Sequence, residues 1–147
     1  RQSARAIIPA IISQIAAQAP EIRVGDLEPT RDFTFVKDTC RGLLAIARME
    51  GGAGEVFQIG TNREIRIGDL FQLIAGLMGS RAAPVTDAER LRPGKSEVRR
   101  LCCDNTKLRE ATGFEPSTPL REGLAVTIDW FRRPENLARY KSHVYNV

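Results

Sequence analysis

Apolar residues that recur at helical spacing, with short strand-like runs between them, constrain this chain more than any other feature. Ile8, Ile11, Ile12 and Ile15 keep that spacing, and Pro9 suits a first turn, so a helix is expected from about residue 4 to 18. "EIRVGD" follows as a short strand, turns through "DLEP", and "DFTFV" returns as a second strand with Phe33 and Phe35 on one face. "DTCRGLLAIARME" is expected as a helix capped by Asp38, with Leu43, Leu44 and Ala47 on its buried side. "EVFQIG" has the composition of a buried strand. "IGDLFQLIAGLMG" is a third helix, with Asp69 at its favourable end and Gly79 as the C-cap. "APVT" is a short strand, and "RLRPGKSEVRRLCCD" is a basic loop that runs into another. "NTKLREATG" is a short helix. The last long helix is "STPLREGLAVTIDWFRR", with Thr118 as cap, Pro119 at its first position and a stripe of Leu120, Leu124, Ile128 and Phe131. Strands and helices alternate irregularly, so the class is α/β or α+β.

A chain of 147 residues, 42% apolar and 27% charged, is long enough for one domain with a real core, and its composition excludes the disordered and fibrous classes. The most apolar stretch, "AIIPAIISQIAAQA", is interrupted by Pro9, Ser13 and Gln14 and is too short to span a bilayer, and no secretion signal is visible. The expected setting is cytoplasmic. The chain opens "RQSARAII" without a methionine and is expected to be a piece of something longer. Cys40, Cys102 and Cys103 form no C-x-x-C pair and no even framework, which suits free thiols. The single histidine, His143, has no ligand-like spacing to them, so no metal site is expected and His143 is taken as a surface or tail residue. The net charge of +4 suits an anionic ligand of any kind without choosing among nucleotide, phosphate ester and nucleic acid.

The glycine cluster in "GGAGEVF" precedes a strand, whereas a dinucleotide loop follows one and opens a helix, so it is expected to be a plain connection. No Tyr-x-x-x-Lys pair occurs, and no catalytic residue is assigned. Arg31, in "EPTRDFTFVKD", is either a surface residue paired with Glu28 or Asp32, or a guanidinium held by the hairpin to face a phosphate or carboxylate. Arginine suits the second role because its planar donors bind bidentately and stay charged. Arg92 has the same ambiguity, with Pro93 and Gly94 forming a turn that would fix the backbone beside it.

Taken in order, "IIPAII", "GDLEPTRDFTFVKDTCRGL", "GEVFQIGTN", "RLRPG" and "STPLREGLAVTIDWF" resemble the carboxyl-terminal half of the extended short-chain dehydrogenase/reductase family, the NAD-dependent sugar-nucleotide epimerases and dehydratases. "RQSARAIIPAIISQI", "SEVRRLCCDNTKLREATGF" and "NLARYKSHVYNV" narrow the resemblance to the N-acetylglucosamine-nucleotide 4,6-dehydratases of legionaminic acid biosynthesis, over essentially the whole chain. The resemblance implies an α/β fold: the substrate-binding part of an extended Rossmann-type enzyme, a small mixed sheet with helices. It implies that Arg31 and Arg92 contact the diphosphate or ribose of a nucleotide-diphosphate sugar, with Asp32 orienting Arg31. Asn62 would hydrogen-bond the nucleotide, and Ile8 and Pro9 would line the base pocket. Uridine is the expected base, with guanosine the alternative.

The resemblance further implies that the complete enzyme oxidises C4 of the sugar with NAD, eliminates water across C5 and C6 and returns the hydride to C6. The NAD-binding part, the Tyr/Lys pair and the dimerisation helices would lie in an amino-terminal half absent from this chain, and the full-length protein would be a homodimer. In such enzymes "DTCRGLLAIARME" and "EVFQIG" pack on the nucleotide-binding sheet, so the isolated chain would expose apolar surface. Gln58 stands where asparagine is common, and Arg66 where a serine usually caps the third helix, at a cost of about 1 kcal/mol. Three alternatives remain open: an epimerase or decarboxylase of the same family, a small basic nucleic-acid-binding module, and a non-catalytic interaction domain. Against nucleic acid, Phe33, Phe35, Phe57 and Phe71 fall in element interiors rather than on a stacking platform. Neither nucleic acid nor membrane is therefore expected as a partner.

Overall fold

The computed structural model describes residues 6–91 and 98–140. In chain order the elements are helix α1 (Ile7–Ala16), strands β1 (Glu21–Val24) and β2 (Thr30–Asp32), helix α2 (Val36–Arg48), strand β3 (Glu64–Arg66), helix α3 (Ile67–Met78), strand β4 (Ala83–Thr86), a single 3-10 turn at Ala88–Arg90, strand β5 (Arg100–Leu101) and helices α4 (Thr106–Thr112), α5 (Leu120–Phe131) and α6 (Pro134–Leu137). They form two compact units. The first takes the described parts of Arg1–Glu28, Ile67–Glu97 and Leu124–Val147; the second takes Pro29–Arg66 and Val98–Gly123.

The first unit follows its hydrophobic pattern. Ile11 and Ile12 of α1, Ile22 of β1, and Leu70 and Ile74 of α3 are all 0% exposed, and Phe71 is 1% exposed. Burial alternates along β1, with Ile22 and Val24 inside, as a strand covered on one face requires. β1 pairs in parallel with β4, Ile22 opposite Pro84 and Val24 opposite Thr86. Gln14, which breaks the apolar run, ties α1 to β1. Its Nε2 donates to the Ala10 carbonyl at 2.8 Å and the Arg23 carbonyl at 3.0 Å, while its Oε1 accepts from the Arg23 N–H at 2.8 Å. Leu124, Ile128 and Phe131 of α5 are buried as the stripe predicts, and Phe131 meets Tyr140 with ring centroids 4.7 Å apart. Gly79 ends α3 at φ +65°, the left-handed conformation expected of it.

The second unit departs from the expectations in several places. No hairpin joins β1 to β2, since β1 takes β4 as partner while β2 lies between β3 (antiparallel) and β5 (parallel). Of "DFTFV", only Asp32 belongs to a strand, and Phe35 is the N-cap residue of α2, with its ring against Gly123. Asp38 does not cap α2. Two residues inside the helix and fully buried, it accepts from Arg41 Nη2 and from the N–H groups of Ser117 (3.4 Å) and Thr118 (3.0 Å). It thus holds the segment that leads into α5.

The expected buried side of α2 is also corrected. Leu43 and Leu44 are 57% and 52% exposed and Ala47 is exposed, whereas Asp38 and Gly42 are buried. Gly42 sits so close to Ile59 that a Cβ would lie 2.9 Å from its Cγ2. "EVFQIG" forms no strand, and Val56 is 76% exposed. A strand is stabilised by cross-strand pairs, and none is offered to this segment among the described residues. The exposed apolar surface expected of α2 and "EVFQIG" in this chain is present. No helix among the described residues is long and apolar enough to cross a membrane.

Candidate functional site

In the three-stranded sheet, pairing fixes which residues share a face. Thr30 stands opposite Arg66 and Arg100, and Asp32 opposite Glu64; Arg31 stands opposite Ile65 and Leu101. Because successive strand residues point to opposite faces, Arg31 and Asp32 cannot both face the same partner. Arg31 is half-buried, and its Nη1 donates to the Thr30 carbonyl at 2.7 Å. The carboxylate of Asp32 serves other groups, so the expected orienting of Arg31 by Asp32 gives way to a different arrangement.

Asp32 accepts from two separate segments. Its oxygens take the Thr61 N–H (3.0 and 3.2 Å), the Thr61 hydroxyl (2.5 Å) and the Asn62 N–H (2.9 Å). Oδ2 also takes the Cys103 N–H at 3.3 Å. Asn62 lies at φ +57°, a left-handed conformation that costs a non-glycine residue about 1–2 kcal/mol and that asparagine tolerates better than most. Gly60 makes the approach possible. A Cβ there would fall 2.2 Å from Cys103 Cβ and 3.1 Å from Asp32 Oδ2. The Gly60 carbonyl accepts from buried Asn105 at 2.8 Å, and the Cys102 thiol lies 3.9 Å from Asn62 Oδ1 as a weak donor.

On the Asp32 face, Glu64 bridges all three strands. It accepts from the Thr30 hydroxyl at 2.6 Å and from Arg100 Nε at 2.7 Å. The Thr30 hydrogen bond first, then that of Arg100, hold its carboxyl below the usual range. Burial first, then the negative charge of Asp32, pushes the Cys103 thiol above its ordinary value.

Of the residues expected from the sequence, Arg31 and Asn62 lie in one unit, the first in β2 and the second on the loop that Asp32 secures. Ile8 and Pro9 belong to α1 of the other unit, Ile8 half-buried and Pro9 buried. Arg92, Pro93, Gly94 and His143 lie outside the described residues. Sequence reasoning missed Gly60, Thr61 and Cys103. Gly60 and Thr61 adjoin Asn62 in "IGTN", but nothing local marks their partner 29 residues earlier.

An open groove lined by Val36, Lys37, Cys40, Arg41, Ser117, Thr118 and Glu122 contains none of the expected residues. Among the described residues no group of three or more His, Cys, Asp or Glu side chains could hold a metal ion. Gly51, Gly52 and Gly54, at φ +79°, +78° and +81°, shape the loop after α2 and open no helix, so they do not fit a dinucleotide phosphate.

The described part of the candidate site is thus an arginine and a polar loop on a small mixed sheet, and comparison with known proteins gives the class. Residues 1–127 match the family model described as GDP-mannose 4,6 dehydratase. The chain is 36% identical over 108 residues to a UDP-glucose 4-epimerase of Mycolicibacterium smegmatis, covering 74% of this chain and 33% of that protein. It is 31% identical over 137 residues to a dTDP-glucose 4,6-dehydratase of Xanthomonas campestris, covering 85% and 37%. The structure of RMD from Pseudomonas aeruginosa, complexed with NADPH, superposes with a TM-score of 0.80 at 26% identity, covering 89% of this chain and 44% of that one.

The chain belongs to the GDP-mannose 4,6-dehydratase family, among the NAD-dependent epimerases and dehydratases of the extended short-chain dehydrogenase/reductase type. It has their α/β fold, and solved members of the group carry NAD or NADPH and nucleotide sugars such as UDP-glucose. The chain spans about a third to two-fifths of the length of the curated relatives it matches, such as the epimerase at 33% and the dehydratase at 37%.

Proposed function

We propose that residues 1–147 are the nucleotide-sugar-binding part of an NAD-dependent nucleotide-sugar 4,6-dehydratase, and that another part of the same protein holds NAD and the acid–base groups. The observation that carries this reading is that Asp32 ties β2, the strand of Arg31, to the loop that carries Asn62. One residue after Arg31, a carboxylate secures the main chain of Asn62. A guanidinium matches a diphosphate, and an exposed carboxamide offers both donor and acceptor to a ribose or base. Arg92, in the Arg-Pro-Gly motif, is the second cation for the diphosphate, and Ile8 and Pro9 are the apolar wall for the base. The finer substrate assignment is UDP-N-acetylglucosamine, in the legionaminic acid route that the tail and "LCCDNTKLREATGF" resemble. The complete protein would work as a homodimer in the cytoplasm.

In the complete protein, Arg31→Ala combined with Arg92→Ala should weaken uridine diphosphate binding by about two to four orders of magnitude, taking about 1.5–3 kcal/mol for each charge-assisted hydrogen bond. Isothermal titration with uridine and guanosine diphosphates reads both the loss and the base preference. Unchanged affinity in the double variant would remove these arginines from the site.

A second reading, epimerase or decarboxylase chemistry, is favoured by the 36% identity to a UDP-glucose 4-epimerase. Product analysis by NMR separates the two, since a dehydratase yields a 4-keto-6-deoxy sugar and an epimerase an unreduced C4 epimer.

A further inference from the structure

We propose that Asp32 is a positioning residue for nucleotide recognition, acting through the main chain of Asn62 rather than through the guanidinium of Arg31. The inference rests on the nucleotide-sugar reading of this site. Asp32 sits between the two residues that reading uses, next to Arg31 in sequence and bonded to Asn62 through space. Its carboxylate accepts from the Thr61 N–H and hydroxyl, the Asn62 N–H at 2.9 Å and the Cys103 N–H at 3.3 Å. Those donors belong to segments that precede β3 and follow β5, so one acceptor fastens both flanking strands' connections to β2.

Three features make this more than a stabilising tie. Asn62 is held at φ +57°, a conformation uncommon outside glycine that asparagine accepts, and its N–H is turned onto the carboxylate there. Gly60 removes the Cβ that would strike Cys103 at 2.2 Å, which lets the loop close onto the carboxylate. Both carboxylate oxygens also accept, from three N–H groups and one hydroxyl in all. An asparagine of the same shape would turn an NH2 toward N–H groups and release part of the loop. Released, the Asn62 main chain would lose its anchor to β2 and its carboxamide a fixed position.

Asp38 supplies an internal control. It makes a similar tie, carboxylate to the N–H groups of Ser117 and Thr118, in the same unit but to a segment that contains neither Arg31 nor Asn62. A merely structural role for Asp32 predicts that Asp32→Asn and Asp38→Asn behave alike: both lower the unfolding midpoint, and both keep the wild-type affinity for uridine diphosphate well below it.

The test is titration of the complete protein with uridine diphosphate, using wild type, Asp32→Asn, Thr61→Val, Asp38→Asn, Arg31→Ala and Asn62→Ala. Positioning predicts a loss of about tenfold in affinity for Asp32→Asn, equivalent to ~1.4 kcal/mol. It predicts a smaller loss for Thr61→Val, none for Asp38→Asn, and faster amide exchange at Thr61 and Asn62 in Asp32→Asn alone. Wild-type affinity in Asp32→Asn, alongside losses in Arg31→Ala and Asn62→Ala, would overturn the positioning role and leave the nucleotide site standing. Equal losses in Asp32→Asn and Asp38→Asn would overturn it too. Absence of uridine diphosphate binding by the wild type would remove the reading beneath it and the proposal together. If Asp32→Asn does not fold, Thr61→Val, which keeps shape and charge, decides by the same criterion.

Discussion

The two units of this chain are held together by different physics. In the first, Ile11, Ile12, Ile22, Val24, Leu70, Phe71, Ile74, Leu124, Ile128 and Phe131 are each at most 3% exposed. In the second, Leu108 is the one large apolar side chain buried to that degree among the described residues, while Val36, Leu43, Leu44, Val56, Val98 and Leu101 are largely exposed. Its interior ties are polar instead: Asp38 to Thr118, Asn105 to Gly60, and the half-buried Asp32 to Thr61, Asn62 and Cys103. Burying apolar area is additive and forgiving of geometry, whereas a buried polar tie helps only if every donor meets its acceptor. The unit that carries Arg31 and Asn62 is therefore the one whose geometry is most tightly specified by individual residues.

The comparison can be broken most severely at Phe71. Phe71→Ala empties a fully packed position of the first unit and should cost about 3–5 kcal/mol by urea unfolding. A loss under 1 kcal/mol would show that this core is not what holds the unit. Next is Asp38→Ala, which leaves two N–H groups without their acceptor and should cost about 2–3 kcal/mol. If the second unit depended on apolar burial instead, Asp38→Ala would be nearly silent and the leucines of α2 would matter more. Those leucines give the third test. Leu43→Ser with Leu44→Ser in this chain should change stability by only about 0.5 kcal/mol each way, as surface substitutions do, and should reduce binding of a hydrophobic dye.

The smallest effect is electrostatic. Hydrogen bonds from Lys107 to Glu55, from Thr30 and Arg100 to Glu64, and from Thr106 to Asp104 hold these three carboxyls below their ordinary values, and all three belong to the second unit. A carboxyl lowered on folding contributes stability above its unfolded value, and that contribution is lost as pH falls through the folded one. Starting near the reference values of 4.5 and 3.8, acid should therefore weaken the second unit first. Amide exchange followed from pH 6 to 3 should lose protection at β2 and β3 before β1 and α3. The reverse order would sink the assignment. The effect should be modest, because these groups are exposed and screened.

This division also separates what could be read from the residues alone. Periodicity located α1, α3 and α5 and the buried stripe of α5, because a helix that buries one face must repeat its apolar residues about every 3.6 positions. The same reading misplaced the buried side of α2 and made a strand of "EVFQIG", since an apolar residue declares what it would bury against only when its partner is present. At the site, Arg31 and Asn62 were visible as residue types in motifs, and the loop glycines excluded a dinucleotide turn. The role of Asp32 was not visible. In sequence its nearest charge is Arg31, yet pleating turns the two side chains to opposite faces of the sheet.

By itself the sequence determined the helices of the first unit, the α/β class and, through the order of its motifs, the family. Strand partners, the exposure of α2 and the grip of Asp32 on Thr61, Asn62 and Cys103 were decided only by the tertiary structure. The physical reason is range. A helix closes its hydrogen bonds within four residues, so its signal is local; a strand pairing or a shared carboxylate joins residues tens of positions apart, and no local pattern encodes which partner it will meet.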